Sequence, residues 1–438
     1  MKITITTLLF TVGNMNINAC QNIFYETLAN IKKELLLRLL IINLNKNKMK
    51  KRVLILMTVA LGTSLMAQNS AEKIIAGNPG LHIGGYGQID FNLNERDGTI
   101  HNNGKLDVHR LVTFLGYNFN EKASFVSELE FEHVSEVYVE QAFLDYKIKN
   151  NLSINAGLML IPMGIQNLYH EPPTFNGVER TNVDKYIIPT TWREMGIGLS
   201  GRSIEHSISY QAMLVNGFNG YNDGGVFSGK SGLRSGRQKG AESYITYPDF
   251  AARVSYYGAP GLNLGFSSYL GDSESKAYDG LDLSDDAVVA SADSTIIGIQ
   301  MIGIDARYNK GALQLTGQYI IAELSNTDQY NGFTGKDLGS KLTGYYYEVG
   351  YNLMNGIIPS ISSDSEELIA FARYENYNTH AEVEGIAIND AYNRTEMTFG
   401  LGFKVAQGAV FKADYQIKSN ASSDEKKGQF NLGVGIWF

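Results

Sequence analysis

The sequence predicts an all-β chain: a sixteen-stranded antiparallel transmembrane β-barrel with one connecting loop folded inward as a constriction. Three observations carry the barrel: a strand-favouring composition, apolar and polar residues alternating along segments of about ten residues, and connections that are short and long by turns. The chain has 26 Tyr, 20 Phe and 46 Gly against 8 Pro. Aromatic side chains fit a pleated surface and glycine closes tight turns. No uncharged apolar run reaches the roughly 18 residues that a membrane-spanning helix needs.

Taken from the N-terminus, the first element is a targeting signal that starts at Met49. Lys50, Lys51 and Arg52 form its charged part, Val53 to Leu61 its apolar part, and Ser64-Leu65-Met66-Ala67 a cleavage site before Gln68. Such a signal is read near a true start, so residues 1–48 are expected to be an over-long start or a leader, 49–67 the signal peptide, and 68–438 the barrel. Two rival readings of the first segment are a helical extension over 21–44 and a lipoprotein leader ending at Cys20. Removing 1–67 takes away seven Lys, two Arg and two Glu and leaves 28 positive and 43 negative side chains, a net of about −15. That balance argues against nucleic acid as a partner. The single cysteine, Cys20, lies in the removed segment, which leaves no disulfide and no thiolate metal site.

From Gly80 onward one pattern repeats. Met397, Phe399, Leu401, Phe403 and Val405 alternate with Glu396, Thr398, Gly400, Gly402 and Lys404, and Phe411, Ala413, Tyr415 and Ile417 with Lys412, Asp414, Gln416 and Lys418. Successive strand side chains point to opposite faces, so each segment offers one apolar and one polar face. A sandwich would alternate in the same way. Connection lengths distinguish the two. The segments 81–93, 105–118, 123–132, 136–148, 152–160, 194–200, 204–215, 249–257, 262–270, 295–308, 312–322, 343–353, 367–376, 394–406, 409–418 and 429–438 give sixteen strands. Short turns follow even-numbered strands, and mostly long polar loops (161–193, 216–248, 271–294, 323–342, 377–393) follow odd-numbered ones, as in outer-membrane barrels. Two connections break the rule: 133–135 is too short and 354–366 too long.

Phe430, Leu432, Val434, Ile436 and Phe438 share one face of the last strand, and an aromatic terminus on such a stripe is similar to the signal read by barrel-assembly machinery. Tyr117, Tyr345, Tyr347, Tyr351 and Tyr374 sit near strand ends on apolar faces, as girdle residues do.

Gly224-Gly225-Val226-Phe227-Ser228-Gly229-Lys230-Ser231 matches the phosphate-loop pattern letter for letter. The preceding strand and following helix that give that motif its amide cradle are missing, so nucleotide binding is rejected. Asp272 to Asp293 holds seven carboxylates and one lysine without calcium-loop spacing and reads as a solvated external loop. His101, His109, His133 and His206 are scattered, and no nucleophile stands out, so neither an enzyme nor a cofactor is expected.

The most informative stretch joins the fifth strand to the sixth. Gly157-Leu158-Met159-Leu160-Ile161-Pro162-Met163-Gly164 is followed by a polar run and then Thr191-Trp192-Arg193-Glu194-Met195-Gly196-Ile197-Gly198. Through Pro162-x-Gly164, Arg193-x-x-Gly196 and the overall layout from about Gly80 to Phe438, the chain resembles the phosphate-selective O and P porin family of Gram-negative outer membranes. The resemblance implies a homotrimer, held in outer-membrane lipid after export, whose water-filled channel passes small hydrophilic solutes or anions such as phosphate between arginines and lysines. By position these are Arg180, Lys185 and Arg193 on the constriction loop, with Arg110, Arg253, Arg373, Lys404 and Lys412 on polar strand faces. The chain departs from the family in adding Glu171, Glu179 and Asp184, so that 161–193 carries three positive and three negative side chains. Glu128, Glu130, Glu132, Glu348 and Asp414 also fall on polar faces. The alternative reading is a binding or adhesion barrel with a plugged lumen and functional surface loops. About 370 exported residues leave no room for a 22-stranded transporter with its plug.

Overall fold

Alternation with a period of two lets each segment turn one face to a polar interior and the other outward, and a sheet so built leaves no unpaired edge once it closes. The computed structural model describes residues 70–438 apart from 97–98, 101–102, 283 and 358–365. The expectations about the targeting signal and residues 1–67 lie outside the described residues, as does His101.

Sixteen strands form the barrel: β1 Gly80–Arg96, β2 Lys105–Asn118, β3 Ala123–Glu132, β4 Glu136–Lys149, β5 Leu152–Leu160, β6 Arg193–Ser203, β7 Ile208–Val215, β8 Asp249–Tyr256, β9 Leu262–Asp272, β10 Gly298–Lys310, β11 Leu313–Ser325, β12 Lys341–Asn352, β13 Glu367–Glu382, β14 Asn393–Ala406, β15 Ala409–Asn420 and β16 Ser423–Trp437. Each pairs antiparallel with its chain neighbours, and β1 closes on β16 in the register Tyr86↔Trp437 to Arg96↔Lys427. The terminal Phe438 adds two main-chain hydrogen bonds to Gly85, at 3.0 and 2.9 Å.

The barrel is apolar outside and carries charged and polar side chains within, beside an apolar cluster. Leu401, Phe399, Phe411, Leu432, Phe266, Ile304 and Val349 are exposed, while Gln88, Arg110, Glu128, Arg253, Asp305, Arg373, Lys412 and Asp414 are buried. An exposed apolar belt of this extent marks a surface made for something other than water. Tyr347 stacks at 5.2 Å on Tyr374, with Tyr345 6.5 Å from Tyr347 along the same outer face.

The two irregular connections stand as read: β3 and β4 are joined by three residues, and a short helix, Leu353–Gly356, opens the long link between β12 and β13. The strand ends differ more. β13 runs on to Glu382 and β16 begins at Ser423, so the expected polar loops at 377–393 and 419–428 shrink to a ten-residue connection and a two-residue turn. Charged residues such as Asp424 to Lys427 read as loop in sequence, yet a barrel strand that projects beyond an apolar belt can be polar on both faces. A short helix, α1 Ser70–Ile75, sits at the end of the barrel where the short turns lie, and the Asn118 side chain donates to the Ile74 and Gly77 carbonyls at 2.9 and 3.0 Å.

Candidate functional site: the occupied lumen

The connection between β5 and β6 folds inward as expected. It leaves β5 through Pro162-Met163-Gly164, where Gly164 takes φ 72° and ψ 172°, a conformation essentially reserved for glycine. A side chain there would also meet the Ile188 methyl, since a Cβ would lie 2.3 Å from Ile188 Cδ1. Asn167 then ties the two ends of the loop together: its amide donates to the carbonyls of Ile161 (2.7 Å) and Trp192 (2.9 Å), and its oxygen accepts from Trp192 N–H at 2.7 Å.

Beyond that knot the loop crosses the lumen and meets the wall on many strands. Ile165 N–H donates to Gln318 on β11, Asn176 to Glu348 on β12, Asn182 to Glu375 on β13 and to Glu396 on β14, and Val178 N–H to Asp414 on β15, at 2.6 to 2.9 Å. The Lys412 ammonium reaches the carbonyls of Pro172, Phe175 and Gly177 at 2.6, 2.6 and 2.8 Å and lies 3.9 Å from the Phe175 ring centre. Buried Ile161, Met163, Val183, Ile187, Ile188 and Trp192 pack against Val215, Ala251, Met301, Ile320 and Tyr346 of the wall in one apolar cluster.

A second loop, 216–248, also turns inward, which the sequence reading placed outside. Phe218, Phe227 and Leu233 are fully buried in the same cluster, and Arg234 and Arg237 donate to the carbonyls of Thr190, Pro189 and Thr191 on the first loop. The phosphate-loop match lies here. Its Gly229 N–H donates to Asp337 at 2.9 Å, so a carboxylate already holds the amide that a phosphate would need. The acidic segment behaves as expected over Asp279, Asp282, Asp285 and Asp286, which are exposed. Its Glu274 instead turns in and accepts from Thr246 at 2.8 and 2.7 Å.

The predicted site residues divide into three groups. Arg253 pairs with Asp305 at 2.7 Å, Arg373 with Glu375 at 3.0 Å and Glu348 at 3.5 Å, Arg110 with Glu130 at 3.3 Å, and Lys404 with Glu367 at 3.2 Å. Asp184, Lys412 and Arg193 anchor the first loop: Gln318 donates to Asp184 at 3.0 Å, and Arg193, the first residue of β6, donates to the Val139 carbonyl at 2.9 Å. Burial raises the Asp184 carboxyl to about 6, with the Gln318 and Thr181 hydrogen bonds opposing. Glu179, Arg180 and Lys185 retain exposed surface, whereas Glu171 is buried.

Where the two loops meet β2 and β3, cations gather. Arg180 donates to the His170 carbonyl at 2.9 Å and feels the field of Arg110. Arg234 feels Arg180 and Arg110, Arg237 feels Arg234 and Arg193, and Lys239 feels Arg237, Arg193 and Arg234. Burial first and then these neighbours pull the Lys239 ammonium down to about 8. Glu132 and His109, each about a quarter exposed, face the same region. Arg234, Arg237 and Lys239 escaped the sequence reading because their loop was placed outside. Below the loops, at the short-turn end, a cavity of about 340 Å³ lies between α1, Tyr169, Arg202, Tyr210 and Arg253.

No family model matches the chain. A protein of Aquifex aeolicus (strain VF5), described only as uncharacterized, is 32% identical over 356 residues, covering 79% of this chain and 77% of that protein. Among solved structures, the outer membrane channel DcaP of Acinetobacter baumannii superposes with a TM-score of 0.54 at 10% identity over 85% of this chain and 99% of that one. An anion-selective porin from Comamonas acidovorans gives a TM-score of 0.50 at 11% identity over 82% of this chain and all of that one. At such identities the likeness is one of fold: a closed sixteen-stranded porin barrel.

Proposed function

We propose that this chain, which belongs to one family with the uncharacterized Aquifex aeolicus protein and has the porin fold, is an outer-membrane channel for passive diffusion that favours small anions. The observation that carries the anion preference is the convergence of Arg110, Arg180, Arg193, Arg234, Arg237 and Lys239 where the two inward loops meet the wall. Arg180, Arg234 and Arg237 donate to neutral main-chain carbonyls, so these hydrogen bonds fix the guanidinium groups without neutralising them. Fixed positive charge near low-dielectric walls raises the local concentration of anions, and selectivity then needs no chemistry. Phosphate is one such anion.

The same proposal covers export under the signal at 49–67, with 1–48 an over-long start or leader and 68–438 the mature barrel, assembly read through the Phe438 strand, and a homotrimer in outer-membrane lipid. Reversal potentials in planar bilayers test the selectivity. Neutralising Arg180, Arg234 and Arg237 together should shift the preference toward cations, while neutralising Asp279, Asp282, Asp285 and Asp286 should change it little at about 0.15 M salt. A larger effect from the external aspartates would refute the assignment of the constriction. The filling of the lumen by two loops favours one second reading, a plugged binding barrel, and refolded protein that carries no current would select it.

A further inference from the structure

The inward loop brings a histidine to a pair of carboxylates that the strands hold ready. Glu128 lies on the polar face of β3, opposite Gln141 of β4. The pairing then jumps to Leu129↔Val139, which leaves Glu140 as the extra residue of a β-bulge. Because of the bulge Glu140 and Gln141 are both buried in the lumen, where regular alternation would send one of them out. Bulges of this kind re-aim side chains and gather beside functional sites. His170, buried on the first inward loop, directs Nε2 at Glu128 Oε1 (3.3 Å) and Glu140 Oε2 (3.5 Å).

We propose that Glu128, Glu140 and His170 form a binding site for one first-row divalent metal ion, with Zn²⁺ as its probe, which staples the inward loop to the barrel wall.

Four observations support this. The first is the tautomer. His170 Nδ1 lies 3.2 Å from the Asn167 carbonyl, which can only accept, so Nδ1 carries a proton and Nε2 is the atom free to ligate. Backbone fixing of the second ring nitrogen is the usual support of a metal-bound histidine. The second is distance. Ligands about 2.0–2.1 Å from a tetrahedral ion lie about 3.3 Å apart, and His170 Nε2 stands 3.3 and 3.5 Å from the two carboxylate oxygens, with all three atoms within 4.8 Å of one another. The third is the support behind each carboxylate: Gln141 donates to Glu128 Oε2 at 2.6 Å and Tyr86 to Glu140 Oε2 at 3.3 Å. The fully buried Glu140 leaves Oε1 without a hydrogen bond, its facing cation Arg193 standing 3.6 Å away. The fourth is charge. Glu130 faces Arg110 and Glu140 faces Arg193, but among the described residues Glu128 has no cation other than His170. A divalent ion held by Glu128 and Glu140 carries a charge equal and opposite to that of its two carboxylate ligands, with neutral His170 and a water completing four ligands.

The test is metal content and affinity in detergent-refolded full-length barrel, stripped with chelator and dialysed against buffered Zn²⁺. The expected result is about one Zn²⁺ per chain, with binding at least about tenfold weaker in His170→Gln and Glu140→Gln, since even supporting-shell changes cost that much. Heat-modifiable gel migration reports whether each variant has folded. If a variant does not fold, titrating the wild type with Co²⁺ decides: a visible spectrum of tetrahedral intensity, displaced by Zn²⁺, is expected. Folded wild type that retains no Zn²⁺ and develops no such Co²⁺ spectrum would overturn the site and leave His170 as an imidazolium between two carboxylates. Folded variants that bind as tightly as the wild type would also overturn it.

Discussion

Replacing Lys412 by Met should loosen the inward loop from the far wall. Lys412 is 6% exposed and its ammonium donates to three loop carbonyls, so it works as a tether and not as a free charge beside a passing ion. Hydrogen bonds from a charged donor contribute about 1.5–3 kcal/mol each, but three that share one donor do not add, and burying the ammonium offsets part of the gain. About 3 kcal/mol is a conservative net figure, because the methionine fills the same space yet leaves the Pro172, Phe175 and Gly177 carbonyls unpaired. At 1.4 kcal/mol per decade the released state of the loop becomes roughly a hundred-fold more populated. Single-channel recording reads this directly as more frequent excursions to a second current level. Lys412→Arg should restore most of the wild-type record. If the methionine variant folds and conducts with wild-type current, noise and selectivity, the ammonium does not hold the loop, and the account of Lys412 as a tether fails.

Two further outcomes follow from residues on the inward loops. Lys239 is held down to about 8 by burial and by Arg237, Arg193 and Arg234, with Glu132 opposing, so it is charged at neutral pH and loses its proton as pH rises through that value. Anion preference measured by reversal potential should therefore fall between about pH 7 and pH 9, and Lys239→Arg, which stays charged, should remove that slope; an unchanged slope in the arginine variant would exclude Lys239 as its origin. Gly164→Ala places a Cβ 2.3 Å from Ile188 Cδ1 in a glycine-only conformation and should cost about 1–3 kcal/mol, lowering the temperature at which the barrel loses its fast gel migration. Wild-type melting in that variant would mean that the loop does not leave β5 through this turn.

The strands were legible because a barrel wall is a two-sided surface, and period two survives wherever one face meets lumen and the other an apolar surround, as in Met397 to Val405. That signal fails where both faces are wet, as in the first residues of β16, and where polar residues are buried against a loop, as at the end of β13, whose buried Thr379 donates to the Gly229 carbonyl of the second inward loop. The first inward loop could be located from its place between the fifth and sixth strands. The second could not, because Phe218, Phe227 and Leu233 are spread among glycines with no period. The carboxylate and histidine cluster was hidden for two reasons. Glu140 lies out of phase until the bulge is known, and His170 is in a segment whose position is set by hydrogen bonds to strands β11 to β15.

A net charge of about −15 over residues 68–438 and the proposed anion preference are compatible because the two are set in different places. The acidic residues of the external segment, Asp279 to Asp286, stand in solvent, where a Debye length of about 8 Å at physiological salt confines their reach. Inside the barrel, many carboxylates are already paired: Asp305 by Arg253, Glu375 and Glu348 by Arg373, Glu130 by Arg110. Others accept hydrogen bonds from the loop, as Asp414 does from Val178 N–H and Glu396 from Asn182, which ties up their lone pairs in fixing the constriction. Arg180, Arg234 and Arg237 are different. Their hydrogen bonds end on main-chain carbonyls, their surroundings hold other guanidinium groups as well as the carboxylates Glu132, Glu140 and Glu194, and they keep part of their surface open. Charge that is fixed by neutral partners and left partly exposed is charge that a passing anion can still use.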